Sequence, residues 1–284
     1  MTGKDLNTYA VNTWCPGCGN FAILNAIRQV LKSLTEEGLP FENIVLVSGI
    51  GCHAKIVDYI NVNSFYSIHG RVSPAAEGIK IANPALKVIG FAGDGDAYGE
   101  GLEHLVFAAK RNIDITMIIH NNRVYGLTTG QYTPTSPLGF KGKSTPRGTK
   151  ELPLNPLELI LSSGATFIGR GYSSHLELLK KVLKEAITHK GFSLVDVLQV
   201  CVTFFNMYEY YNKTVYELKG HDTDDYNRAL EKIREWDYNS GAPIGLGIFY
   251  RKDAPVFEEN FSKIMPQKEE ERDSKIREML KDFL

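Results

Sequence analysis

Four cysteines stand in this chain of 284 residues, at positions 15, 18, 52 and 201. The first two lie in "WCPGCG", Trp14 to Gly19. A Cys-x-x-Cys pair suits a redox dithiol, half of a zinc site or half of an iron–sulfur ligand set. Four thiolates together form a soft ligand set that fits iron–sulfur or zinc equally well, and spacing does not separate the two. The chain lacks the compact ferredoxin run of closely spaced cysteines, so further clusters would belong to another protein. Cys201, at a predicted strand end, also reads as a small buried apolar residue.

A second chemical signal is "GFAGDGDAYGEG", residues 90–101. Glycines let backbone approach a phosphate closely, and a helix N-terminus that follows favours an anion. Asp94 and Asp96 would repel a diphosphate unless a divalent cation lay between, and Mg²⁺ typically bridges one or two carboxylates to substrate phosphates. No Gly-Lys-Ser/Thr follows, so this is not a P-loop, and it is not the usual dinucleotide fingerprint. Further on, "HNNRVYGLTTGQ" (120–131) follows another predicted strand. Asn122 offers a neutral side-chain oxygen to the same cation; read alone, Asn121-Asn122 is an ordinary strand-end turn.

These residues need elements to position them. Helical spacing of Phe21, Leu24, Ile27, Leu31 and Leu34 predicts a helix from Asn20, stopped near Gly38. Residues 43–49, 64–70, 87–93 and 113–121 read as strands, with helices over 73–83 and 100–112. Residues 128–156 have little periodicity, which suggests a functional loop. A helix (156–163), a strand (165–171), a helix (175–189) and a strand (192–200) complete the pattern. Alternation of this kind predicts an α/β fold with a mainly parallel sheet and helices on both faces. Residues 1–204 form the expected α/β domain. Residues 205–284, rich in tyrosine and charge, read as a C-terminal extension or arm contacting a partner chain, or else as a solvated helical tail.

Composition bounds the rest. With 43% apolar and 23% charged residues and a net charge of −1, no basic field invites nucleic acid. No apolar run approaches a membrane span, and the first residues carry no apolar core of a secretory signal. The expectation is a cytoplasmic protein, whose reducing surroundings favour metal or catalytic roles for cysteine over disulfides.

GDG followed, after a strand–helix–strand interval, by NN resembles the thiamine diphosphate motif. The fuller sequence from "GDGDAYGEG" to "LTTGQ", with "WCPGCG", "VSGIGC", "IHGR", "ANPALKVIGFAGDGD" and "CVTFFN" in the same order, resembles the β subunit of 2-oxoacid:ferredoxin oxidoreductases over roughly residues 10–250. "TSPLGFKGKSTPRG" and "HKGFSLVDVLQVCVTF" look most like its 2-oxoglutarate and broad-specificity branches. The resemblance implies the diphosphate-type thiamine fold. It also implies oxidative decarboxylation of a 2-oxoacid, 2-oxoglutarate or pyruvate, to acyl-coenzyme A and CO₂ with reduction of ferredoxin.

It assigns residues as well. Cys15, Cys18, Cys52 and Cys201 match the ligands of a [4Fe–4S] cluster. Asp94, the side chain of Asn122 and the main-chain carbonyl of Val124 match the Mg²⁺ ligands. Gly95, Asp96, Gly126 and Leu127 would line the diphosphate and thiazolium side. Ile50, Gly51, Cys52, His53 and His69 would face the cofactor, though a lone His before Gly-Arg is often a structural loop residue. Lys55 matches a lysine associated with the acid substrate or coenzyme A, and by itself is one surface lysine among many. Thr129 stands where the resemblance would put a lysine, which weakens the 2-oxoglutarate assignment. The activating glutamate is absent from this half: Glu77 falls inside a predicted helix. An α subunit, fused or paired with a γ-type domain, would supply it. The rival expectations are a non-redox thiamine decarboxylase or carboligase component with structural zinc, and a zinc-stapled interaction protein whose glycine turns are only turns.

Overall fold

The computed structural model describes residues 6–261 and 269–281. The helix α1 (Asn20–Glu36) leads into β1 (Ile44–Ser48), a 3₁₀ turn at His53–Asp58 and β2 (Asn63–Tyr66). Then come α2 (Val72–Ala82), β3 (Lys87–Gly93), a π-helical turn at Gly95–Glu100, α3 (Leu102–Arg111) and β4 (Ile115–Asn121). After a long irregular stretch follow α4 (Pro156–Ser162), β5 (Phe167–Tyr172), α5 (Leu176–Thr188) and β6 (Ser193–Leu198). The chain continues through α6 (Tyr208–Thr214), β7 (Val215–Glu217), α7 (Tyr226–Arg234), β8 (Ile244–Arg251) and, separately, α8 (Glu269–Lys281).

The eight strands form one sheet in the order β2-β1-β3-β4-β6-β5-β8-β7. Six are parallel, and β8 runs antiparallel to β5. Every residue of β4, β5 and β6 is buried, as expected of central strands covered on both faces. On one face α1 and α5 pack around Ile27, Leu31, Leu183 and Ile187. On the other, α2, α3, α4 and α7 pack around Ala76, Leu105, Leu157 and Ile233. Some helix starts are written locally: at α4, Asn155 Oδ1 accepts from Glu158 N at 3.4 Å and Pro156 occupies the first turn.

Residues 205–261, expected as part of an arm, contribute β7 and β8 to the same sheet and cover its β5 edge with a core of Trp236, Tyr238 and Tyr211. Residues 262–268 and 282–284 of that stretch lie outside the described residues. Among the described residues no helix is long and apolar enough to cross a membrane.

The sheet order fixes where a ligand belongs. The chain leaves β1 toward one edge through β2, then returns to add β3 on the other side. Such a reversal opens a crevice at the carboxyl ends of the strands. Here that crevice lies between the segments following β1 and β3.

Candidate functional site

Four neighbouring strands, β1, β3, β4 and β6, deliver the site from their carboxyl ends. The segment after β1 carries Ile50 to His53, the turn after β3 carries Asp94 to Asp96, the turn after β4 carries Asn122 to Leu127, and Cys201 lies just beyond β6. One cleft is lined by Ile50, Gly51, Cys52, His53, His69, Asp94, Gly95, Asp96, Asn122, Val124, Gly126 and Leu127, together with Gly93, His120, Tyr125 and Thr128.

Asp94 is 1% exposed. Its Oδ2 accepts from Thr135 Oγ1 at 2.8 Å. Burial pushes its carboxyl up to about 6, against the lowering effect of threonine hydroxyls. In the β4 turn, Arg123 adopts a left-handed backbone, φ 60°. The Asn122 Oδ1 accepts from Val124 N at 3.1 Å, which closes the turn and fixes the amide. A carboxylate, an amide oxygen and a main-chain carbonyl form a hard oxygen donor set, which suits Mg²⁺.

Asp96 is held by the protein itself. Its Oδ1 accepts from Gly70 N at 2.5 Å and lies 3.7 Å from His69 Nδ1. Its Oδ2 stands 3.2 Å from His53 Nε2, close but off the line of a hydrogen bond, and both atoms are buried without another partner. Gly49 has no room for a side chain, because a Cβ there would sit 2.0 Å from Asp96 Oδ2. Gly95 is equally constrained, since its Cβ would fall 2.2 Å from the Tyr125 ring.

The sulfur side adjoins this corner. A Cβ on Gly126 would lie 3.6 Å from Cys52 Sγ, 3.7 Å from Cys201 Sγ and 3.8 Å from Asn122 Nδ2. Cys15 and Cys18 arrive from the turn before α1, where Cys18 N donates to Cys15 O at 3.0 Å. That turn is docked on the end of β6 by Gly19 N donating to Val200 O at 3.1 Å. Gln199 Nε2 reaches Cys18 Sγ at 3.5 Å. Burial pushes the Cys18 thiol up to about 11, and the thiols of Cys201, Cys52 and Cys15 nearby push the same way. Burial also raises Cys52 while the Lys55 ammonium opposes it.

Among the described residues no three His, Cys, Asp or Glu side chains close around a single metal ion. A structural zinc needs sulfurs at about 2.3 Å from one centre. Four thiolates gathered near one another suit either iron–sulfur or zinc by donor type.

Other candidates fall differently. Lys55 is outside this cleft, in a groove with Thr8, Tyr9 and Thr13, and its Nζ donates to Thr13 Oγ1 at 3.0 Å. Glu77 is turned away from the cleft and takes Arg111 Nη1 at 3.1 Å. Thr129, left-handed at φ 79°, accepts from Lys143 Nζ at 2.8 Å through its hydroxyl. Sequence reading passed over His120, whose Nδ1 meets Asn20 Oδ1 at 2.8 Å. Burial, with His53 beside it, holds His120 well below its ordinary range and therefore neutral. Its buried Nε2 has no partner. The only signal in the sequence was its place immediately before Asn121-Asn122.

The chain is similar to known proteins over most of its length. The model of the thiamine pyrophosphate enzyme C-terminal TPP-binding domain matches residues 49–197, and that of the C-terminal region of the pyruvate ferredoxin oxidoreductase β chain matches residues 201–265. A 2-oxoacid:ferredoxin oxidoreductase subunit beta of Saccharolobus solfataricus is 45% identical over 85% of this chain and 82% of its own. A 2-oxoglutarate synthase subunit KorB of Methanothermobacter thermautotrophicus is 35% identical over 90% of this chain and 88% of its own. A solved 2-oxoglutarate:ferredoxin oxidoreductase from Magnetococcus marinus, with 2-oxoglutarate, coenzyme A and succinyl-CoA bound, superposes with a TM-score of 0.86 at 30% identity, covering 95% of this chain and 94% of that one.

Proposed function

Because the chain belongs to the family of 2-oxoacid:ferredoxin oxidoreductase β subunits, we propose that its cleft holds thiamine diphosphate through Mg²⁺ beside a [4Fe–4S] cluster. The membership makes it an oxidoreductase subunit with a thiamine diphosphate-binding domain, working with other subunits. The metal, the cluster, the residue roles and the ferredoxin partner are our reading. The observation that carries it is the meeting at Gly126 of two cysteine sulfurs and the Asn122 amide. It sets a thiolate pocket against a hard-oxygen corner.

On this reading Asp94, Asn122 and the Val124 carbonyl hold the cation, and Cys15, Cys18, Cys52 and Cys201 hold the cluster. Bound thiamine diphosphate supplies the carbanion chemistry that releases CO₂ from a 2-oxoacid, and the cluster accepts electrons singly on their way to ferredoxin. Gly95 and Gly126 keep the walls low. Asp96 ties the His69 loop to the turn after β3. His53 and the neutral His120 present ring nitrogens beside the reacting centre, with unfilled hydrogen-bonding capacity. The site needs a second chain, and exposed Ile50, Ile68 and Leu127 at or near the cleft give it a surface to cover. We propose that an α subunit, or α and γ-type domains, covers it and that part of residues 205–284 touches the same partner. A cytoplasmic location suits four reduced thiols.

The substrate we favour is 2-oxoglutarate or pyruvate, with coenzyme A as acyl acceptor. Lys143 brings a cation to Thr129, so the missing lysine leaves no gap in charge there. The test is anaerobic purification of the chain with its partner subunits, followed by visible absorbance, metal content and oxidation of 2-oxoglutarate, pyruvate and branched 2-oxoacids with coenzyme A and a one-electron dye. The expected result is a brown, dithionite-bleachable protein with thiamine diphosphate and four irons in this chain. A colourless protein with stoichiometric zinc would overturn it.

A further inference from the structure

Behind the cleft lies a buried polar chain that no step above uses. Asp196, on β6, is completely buried. Its Oδ1 accepts from Tyr98 Oη at 3.0 Å and Asn121 Nδ2 at 3.0 Å; its Oδ2 accepts from Tyr238 Oη at 2.7 Å. Tyr238 Oη in turn accepts from Arg170 Nη2 at 3.2 Å, so a buried cation and a buried anion are bridged by one phenol. Because Asp196 only accepts, it fixes which way round the Asn121 amide lies. The NH₂ faces Asp196 and the oxygen faces Thr135, whose Oγ1 stands 3.0 Å from Asn121 Oδ1 and 2.8 Å from Asp94 Oδ2. Arg123 holds both ends of this path: its Nε donates to Thr135 O at 2.7 Å and its Nη2 to Tyr238 O.

From these contacts we infer that Asp196, locked by Tyr238, is a positioning residue that sets the Mg²⁺ ligand Asp94 through Asn121 and Thr135. The inference rests on the metal reading above. It makes the segment around Tyr238, far from the cleft in sequence, part of what aims the metal corner. A buried charge of this kind is costly to keep unless it is paired and hydrogen-bonded, as Asp196 is. One of its connections, through Asn121 and Thr135, reaches Asp94, and the others, to Tyr98 and Tyr238, hold Asp196 in place. Partners behind metal ligands commonly govern affinity by about 10–100-fold.

The experiment uses the enzyme assembled with its partner subunits and reads thiamine diphosphate binding by calorimetry across a Mg²⁺ titration, with thermal melting recorded alongside. Thr135→Val and Tyr238→Phe should raise the half-saturating Mg²⁺ concentration about tenfold or more in protein that is still folded, and Thr135→Ser, which keeps the hydroxyl, should stay within about twofold of the parent. If Tyr238→Phe fails to fold, Asp196→Asn, which keeps size and shape, takes its place, because Thr135 touches Asp94 directly and its variants test only the last link. Wild-type Mg²⁺ dependence in folded Tyr238→Phe or Asp196→Asn, or in folded Thr135→Val, overturns the inference. Asp94→Ala separates the two levels. If it keeps Mg²⁺-dependent binding, the metal assignment itself fails. If it loses that binding while Thr135→Val does not change, only the relay fails.

Discussion

A carboxyl group buried as deeply as Asp94 keeps its proton longer than one in water. Its shift, from 3.8 up to about 6, has a definite sign. The metal-free folded protein binds this proton more tightly than the unfolded chain does. Its contribution to stability is therefore full below about pH 3.8 and is lost as pH rises through about 6. The loss amounts to about 3 kcal/mol at neutral pH. Mg²⁺ takes the place of the proton, so added Mg²⁺ should raise the melting temperature more at pH 7.5 than at pH 5. Thiamine diphosphate binding should likewise need about ten times more Mg²⁺ for each pH unit below about 6. Melts and titrations at the two pH values check this; equal Mg²⁺ effects at both would remove Asp94 from the metal. At this scale the sequence offered Asp94 as a candidate by type and setting, and the four cysteines as a soft ligand set that the resemblance assigns to one cluster. It was silent on His120 and Thr135, because a lone histidine or threonine carries no pattern until its neighbours in space are known.

Elements set what can be changed without touching chemistry. The C-terminal end of α2 is fixed to the amino ends of β3 and β4, away from the cleft, by Lys80, 3% exposed, whose Nζ donates to Pro84 O at 2.9 Å, Leu86 O at 2.9 Å and Asp114 Oδ2 at 2.7 Å. Lys80→Ala should cost about 1–3 kcal/mol, because Pro84 O, Leu86 O and Asp114 lose a buried donor while Lys87 Nζ, 3.6 Å away, and Gly191 N stay on Asp114. Urea unfolding measures that loss, and thiamine diphosphate affinity in the folded fraction should hold, since no residue of the cleft is involved. On the proposed reading, the hairpin bearing Lys143 serves the substrate instead. Gly142 lies so close to the 125–131 turn that a Cβ there would sit 2.2 Å from Gly130 O, which seats Lys143 against Thr129. Lys143→Met should raise the KM for 2-oxoglutarate about tenfold, the loss of one charge-assisted contact, with a smaller change for pyruvate, which lacks the second carboxylate. Equal effects on both acids would assign Lys143 to coenzyme A or to the fold. The 3.6- and 2-residue periodicities marked the elements through β6 to within a few residues. The π-helical turn after Asp94 and the 139–149 hairpin were not marked, since each is held by contacts from other elements.

Taken whole, the molecule is one sheet whose last strands come from the segment after residue 204. Arg170 on β5 stacks against the rings of Trp236, Tyr238 and Phe249, all buried. A chain ended at residue 204 would expose the β5 edge and leave a buried guanidinium and Asp196 without Tyr238. We expect such a fragment to show no cooperative melt by circular dichroism, whereas a chain ended at residue 261 should melt as the parent does. A cooperative fragment 1–204 would instead make the later strands a true appendage. Assembly with partner subunits should also protect the amides near Ile68 and Leu127 from exchange.

By itself, the order of residues determined which elements form, which turns are glycine-built for close approach, and which atoms have the chemistry to hold sulfur-loving and oxygen-loving metals. Those properties are local, because propensity, periodicity and donor type act over a few residues. Only the tertiary structure decided that Cys52, Asp94, Asn122 and Cys201 share one rim. Parallel strands adjacent in the sheet end side by side however far apart they lie in the chain, and the order β1-β3-β4-β6 is set by how helices pack across the faces. The same holds for Tyr238 behind Asp94: pairing of β8 with β5 brings it there, and no spacing in the sequence could record it.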